Sequence, residues 1–124
     1  VAGIRSAIVS NGLHCLARRL GKELGIQDME ANREIIRDGL LTGELDICVP
    51  YAGKADALLR IAERMGVSPS RILAVGDGEA DIPMFEVAGV GVAFRPESPE
   101  VAAAATHVID QVDLRALFPL LGTG

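Results

Sequence analysis

Two kinds of hydrophobic pattern alternate along this chain. Short apolar runs at Ser6–Ser10, Ile72–Val75 and Gly89–Phe94 have the length of β-strands, and Ile72–Val75 contains nothing polar, as in a central parallel strand. Between such runs the period lengthens. Leu13, Leu16, Ala17, Leu20 and Leu24 recur at helical spacing, with Arg18, Arg19, Lys22 and Glu23 opposite and Gly25 as the stop. Ala55, Leu58, Leu59, Ala62 and Met65 do the same over Lys54–Met65, ended by Gly66. Ile35–Arg37 and Leu40–Val49 flank Asp38-Gly39, which predicts a β-hairpin between Asn32 and Pro50, with a bulge or break at Gly43. After the loop Gly76–Asp81, Pro83 opens a short helix, and Ser98-Pro99-Glu100 supplies cap, first turn and acidic residue for an Ala-rich one. His107–Ile109 reads as a short edge strand, and Asp113 as the cap of a last helix that Pro119 ends or kinks. Strands alternating with helices predict one α/β domain over residues 1–124 with a mostly parallel sheet. In such sheets chemistry collects beyond the carboxyl ends of the strands, so Ser10-Asn11-Gly12 and Gly76–Asp81 are expected on one rim.

Composition narrows the function. The 124 residues carry 12 Lys and Arg against 17 Asp and Glu, a net charge of −5 that opposes binding to nucleic acid or an anionic membrane. Aromatics are 3% with no Trp, so stacking platforms for single strands are missing and the core rests on Ala, Val, Leu and Ile. No apolar run approaches the roughly 18 residues of a membrane helix, and no signal-peptide pattern opens the chain. Two cysteines, Cys15 and Cys48, fit reduced thiols and a cytoplasmic protein. The first residue is Val rather than Met, as in a trimmed or partial chain.

Three features carry candidate chemistry, each with a plainer alternative. Asp77 and Asp81 lie four apart on a loop whose Gly76 and Gly78 let the backbone turn sharply. Paired carboxylates there suit Mg²⁺, which completes its shell with water and phosphate; equally, they suit helix capping. Ser10 ends a strand before Asn11-Gly12 and a helix, which is a phosphate site or an ordinary N-cap. Lys54 opens a helix where the macrodipole is already positive, so it either faces an anion or is simply solvated. Their order along one chain is harder to assign to coincidence. His14 and His107 read as surface histidines, and Glu79 is left undecided between solvent and a metal shell.

The series Ile8-Val9-Ser10-Asn11-Gly12, Lys54 and Gly76-Asp77-Gly78-x-x-Asp81 resembles motifs two, three and four of the haloacid dehalogenase (HAD) superfamily of phosphohydrolases. Ala31-Asn32, Asp38-Gly39, Leu41-Thr42-Gly43-Glu44 and Asp81-Ile82-Pro83-Met84-Phe85 resemble its phosphoserine phosphatase branch. The resemblance implies a Rossmann-like three-layer α/β/α fold. Ser10, with Asn11 and Gly12, would bind the phosphoryl oxygens, and Lys54 would neutralise charge between phosphoryl group and nucleophile. Asp77 would bind Mg²⁺ directly, and Asp81 would support the metal's water shell or orient its neighbours. Asn32 and Gly78 are secondary candidates. Phosphoserine is the favoured substrate among small phosphorylated metabolites.

Two departures qualify this. Ala80 stands where the family commonly has Asn, so an amide contact to phosphate or metal water is missing or supplied elsewhere. None of the eight Asp has another two residues on, so the family's Asp-x-Asp nucleophile motif is absent from these 124 residues. The chain therefore resembles the C-terminal portion of such an enzyme, lacking the nucleophile strand and cap and inactive alone. The alternatives are a non-catalytic phosphate-binding or regulatory module, or one half of a split enzyme completed by an upstream fragment. Without the family's central strand, marginal stability or self-association is expected.

Overall fold

A parallel pair opens the fold: β1 (Ala7–Leu13) lies beside β2 (Asp28–Arg37), joined through α1 (His14–Leu24). The computed structural model describes residues 3–121. The chain divides into two compact units, Val1–Met65 and Gly66–Gly124.

In the first unit β2 continues through an antiparallel hairpin into β3 (Leu40–Asp46), and α2 (Lys54–Met65) follows. The hairpin turn places Asp38 at φ 53° and Gly39 at φ 77°, the paired positive angles that Asp-Gly supplies in a two-residue hairpin. Gly43, at φ 84°, sits in the stretch where the β2–β3 register slips between Glu34 and Ile36, as its position predicts. β2 is longer than Ile35–Arg37, because Asp28–Glu30 pair with Ala7–Val9. α1 starts later than the leucine period suggests. Its N-cap is Leu13, with no side-chain cap. Glu34, from β2, accepts instead from the Cys15 N–H at 3.4 Å. Its own backbone amide, and then the Cys15 N–H, hold the Glu34 carboxyl below its ordinary range.

The first core forms where small residues let helix and sheet approach. α1 buries only Ala17 and Gly21, and a Cβ on Gly21 would stand 2.5 Å from the Ile26 carbonyl oxygen. Leu16 and Leu24 stay 65% and 62% exposed, so the stripe that reads as a core face is on the outside of this unit. The buried stripe of α2 is Ala57, Leu58, Ile61 and Ala62, rotated from the face read in sequence, with Leu59 outside. Arg60 and Arg64, one turn apart on α2, both bind Glu30 of β2, Arg64 at 3.0 Å. Arg60 also donates to the Cys48 carbonyl at 2.9 Å.

The second unit is a parallel sheet of β4 (Leu73–Gly76), β5 (Val90–Phe94) and β6 (His107–Ile109), in that order. Central β5 buries Val92 and Ala93 completely. α3 (Ile82–Val87) and α4 (Pro99–Ala104) carry their prolines in the first turn, where the lost N–H would have no helical partner. Ser98 caps α4 by accepting from the Val101 N–H at 3.4 Å. Gly89 is required by contact, since a Cβ would fall 1.9 Å from the Ser70 carbonyl oxygen. The last segment differs from its reading. Leu114–Leu120 is a 3₁₀ helix capped by Asp113 and it contains Pro119, and the chain closes with the Leu121 N–H on Leu117 and Phe118. Among the described residues no helix is long and apolar enough to cross a membrane.

The Glu30 fork makes a pH-dependent contribution. Partial burial works against its charge, but the hydrogen bonds and charges of Arg60 and Arg64 outweigh it and lower the pKa. A carboxyl held low in the fold stabilises it above the unfolded pKa, near 4.5, and that contribution is lost as pH falls through the lower folded value. Urea melts should find Glu30→Gln less stable by about 1 kcal/mol at pH 7, with the gap narrowing as pH falls below 4.5. A gap that does not narrow at any pH below 4.5 would refute this origin.

Candidate functional site

In the first unit, Ser10, Asn11 and Gly12 lie where the β1–β2 register is interrupted, between Val9 and Leu13. The chain remains extended there, so Ser10 is not the N-cap of α1, a correction to the simplest sequence reading. The reason is side-chain hydrogen bonding. Asn32 donates to the Asn11 carbonyl at 2.8 Å, and Asn11 donates to the carbonyls of Val49 and Pro50 at 3.2 and 2.9 Å. The Gly12 N–H bonds the Ser10 hydroxyl oxygen at 2.9 Å and so is not directed at a ligand. The Ser10 hydroxyl accepts in that bond and keeps a proton to donate.

Asn32 lies inside β2 rather than at a strand end, and it is 5% exposed. Its amide makes four bonds: donating to Asn11 and Val49 carbonyls, and accepting from the Cys48 and Val49 N–H groups at 2.9 and 2.7 Å. The segment it holds leads directly to Lys54. The Gly53 N–H donates to the Pro50 carbonyl at 2.8 Å, and the Ala57 N–H donates to the Gly53 carbonyl at 3.1 Å. Gly53 thus caps α2 and Lys54, half-buried, is its first residue. A Cβ on Gly53 would fall 2.6 Å from the Pro50 ring, which is why a glycine precedes the lysine.

In the second unit, the loop beyond β4 carries Asp77, exposed, and Asp81, 5% exposed. One Asp81 oxygen accepts from the Asp77 and Gly78 N–H groups at 2.9 and 3.0 Å. Gly76 makes room for that carboxylate, since a Cβ there would stand 2.3 Å from it. Asp81 therefore shapes the loop on which Asp77 stands. Ala80 is half-buried in the 3₁₀ turn Glu79–Asp81. The donor set suits Mg²⁺, a hard cation that takes one or two carboxylates and keeps water. Asp77, exposed on this loop, is the carboxylate there that could hold such an ion. Among the described residues no group of three or more His, Cys, Asp or Glu side chains is gathered for a metal.

Glu97 escapes sequence reasoning. Its N–H donates to the Asp77 carbonyl at 2.9 Å, and its carboxylate accepts from the Glu79 N–H at 3.0 Å. It braces the loop from the segment after β5, and no local spacing announces that. His14 adjoins Glu34 at the start of α1, and His107 is exposed on β6, so neither joins the candidate residues.

Known proteins match the sequence and fold of this chain. Residues 26–118 match the haloacid dehalogenase-like hydrolase family, and the chain belongs to it. It is 36% identical over 120 residues to a phosphoserine phosphatase of Streptococcus thermophilus, covering 96% of this chain and 55% of that protein. A phosphoserine phosphatase of Methanocaldococcus jannaschii is 35% identical over 112 residues, 90% of this chain and 53% of that one. Among solved structures, a substrate-bound phosphoserine phosphatase complex superposes with TM-score 0.85 at 34% identity, over 97% of this chain and 57% of that one. A HAD family hydrolase from Salmonella enterica serovar Typhi gives 0.87 at 31% identity, over 98% and 42%. The chain is thus an α/β Rossmann-like HAD fold, similar to phosphoserine phosphatases, and spans about half the length of the first two.

The role of Asp81 is open to test. Asp81→Ala leaves two loop N–H groups without their charged acceptor and should cost about 2–3 kcal/mol in denaturant melts. Asp81→Asn keeps an acceptor and should cost about half as much. Equal stability of all three proteins would remove Asp81 as the loop's anchor.

Proposed function

We propose that this chain carries the phosphate-holding and metal-holding residues of a Mg²⁺-dependent phosphoserine phosphatase-like enzyme. The observation that supports it is a Ser10, Lys54 and Gly76-Asp77-Gly78-x-x-Asp81 series in a chain similar to phosphoserine phosphatases over 96% of its length. Phosphoryl transfer depends mainly on positioning and charge neutralisation, and these residues provide both. The Ser10 hydroxyl donates to a phosphoryl oxygen. The Lys54 ammonium offsets the charge that builds between phosphoryl group and nucleophile. Asp77 holds Mg²⁺, which supplies further neutralisation when bound. The attacking carboxylate is an aspartate outside these 124 residues, in the same HAD core domain; it displaces the alcohol to give an aspartyl-phosphate that water then hydrolyses. The 124 residues alone are inactive. Phosphoserine is the favoured substrate, and two free thiols fit a cytoplasmic setting.

Ala80 favours a second reading, a phosphate-binding module without turnover. A chimera separates them: the preceding half of the Streptococcus thermophilus relative fused to this chain. It should hydrolyse phosphoserine with Mg²⁺, and Lys54→Ala or Asp77→Ala should each lower kcat by about 100- to 1,000-fold. A folded chimera that binds phosphate but never turns over would replace the enzyme by the module. Activity restored when the two halves are mixed, unfused, would mean a split enzyme.

β1 and β4 are outer strands of their respective sheets. Outer strands present ladder groups to other chains, so the 124-residue chain should self-associate at micromolar concentration in light scattering. A monomer with a sharp thermal transition would contradict this.

A further inference from the structure

We infer that Asn32 is a positioning residue, the buried node that sets the phosphate-binding group of β1 and the lysine of α2 at a fixed separation; this rests on the function proposed above. Only a carboxamide offers two donors and two acceptors in one plane, and at Asn32 all four are used. The two acceptor bonds, from Cys48 and Val49, seat the bend before α2. One donor bond, to Asn11, seats the end of β1 next to Ser10. The other, to Val49, is shared with the Asn11 side chain, which reaches on to Pro50. The Pro50 carbonyl then accepts the Gly53 N–H, and Lys54 follows.

From Ser10 to Lys54 the path runs through hydrogen bonds centred on one side chain. The intervening sequence instead travels out through a hairpin whose β3 is exposed along its whole length. A buried amide with no remaining donor or acceptor cannot itself touch substrate. Its effect on phosphate must pass through the backbone it holds. The hairpin is then free to vary without disturbing the spacing of hydroxyl and ammonium, because the spacing is set across its base.

The test titrates inorganic phosphate into the ¹⁵N-labelled chimera described above and follows the amide signals of Gly12 and Lys54. Ser10→Ala and Lys54→Ala controls establish where phosphate binds. Asn32→Asp retains both acceptors and removes both donors. While still giving a folded spectrum, it should weaken phosphate at least tenfold and shift the Gly12 amide without ligand. Should Asn32→Asp not fold, Asn11→Ala removes only the outer bonds to Val49 and Pro50 and should weaken phosphate three- to tenfold. Affinity within twofold of the parent in the folded variant would make the network purely structural and overturn the inference. No saturable response in the parent chimera would instead defeat the proposed phosphate site, and the inference with it.

Discussion

The amide of Asn32 is the constraint on which the first unit turns. A polar group buried inside a strand must find its partners within the protein, because leaving each one unmade costs about 1–3 kcal/mol. Here the partners are the backbone of two other segments, at the end of β1 and before α2. Satisfying one side chain therefore fixes three pieces of chain together. It also bridges a gap in the β1–β2 ladder. The parallel ladder is interrupted after Val9, and the amide takes over as the link between β1 and β2. That substitution of side chain for ladder keeps Ser10 off the helix and on extended backbone.

The second unit solves a similar problem with a carboxylate. Asp81 turns inward to hold the N–H groups at the beginning of its own loop, while Asp77 stands exposed on that loop. Two acidic residues four apart look equivalent in sequence and have opposite tasks in the structure. The difference follows from position. Asp81 lies in the turn leading into α3, close enough to Gly76 that any side chain there would displace it. In both units a buried polar side chain organises backbone, and the chemically apt group is a neighbour of what it organises.

Features that depend on local chemistry were legible in the sequence. The Asp-Gly turn, the limits of α2 with Lys54 at its start, the Ser98 cap and the first-turn prolines each follow from residues within a few positions of one another. What was not legible depends on distant partners. The bonds from Asn32 to Asn11 and Val49 join residues 21 and 17 apart. They suppress the helix start that Ser10-Asn11-Gly12 suggests. The leucine period of α1 is genuine, but a period reports only that a face is apolar. Which face meets the sheet was decided by Ala17 and Gly21, small enough for close approach. Glu97 had no signal because its partners are backbone groups about twenty residues earlier.

Glu97 also changes the meaning of Ala80. A methyl at that position removes an amide that could have touched phosphate or metal water, and the same loss could have slackened the loop. The hydrogen bonds locate the loop's support elsewhere. Asp81 holds its first N–H groups, the Asp81 N–H closes on the Gly78 carbonyl at 3.0 Å, and Glu97 braces it at Asp77 and Glu79. None of those bonds uses the side chain at 80. Ala80 therefore leaves the support of Asp77 intact. On the function proposed above, any loss of catalysis at Ala80 belongs to stabilisation of the reacting group rather than to collapse of the loop that carries Asp77.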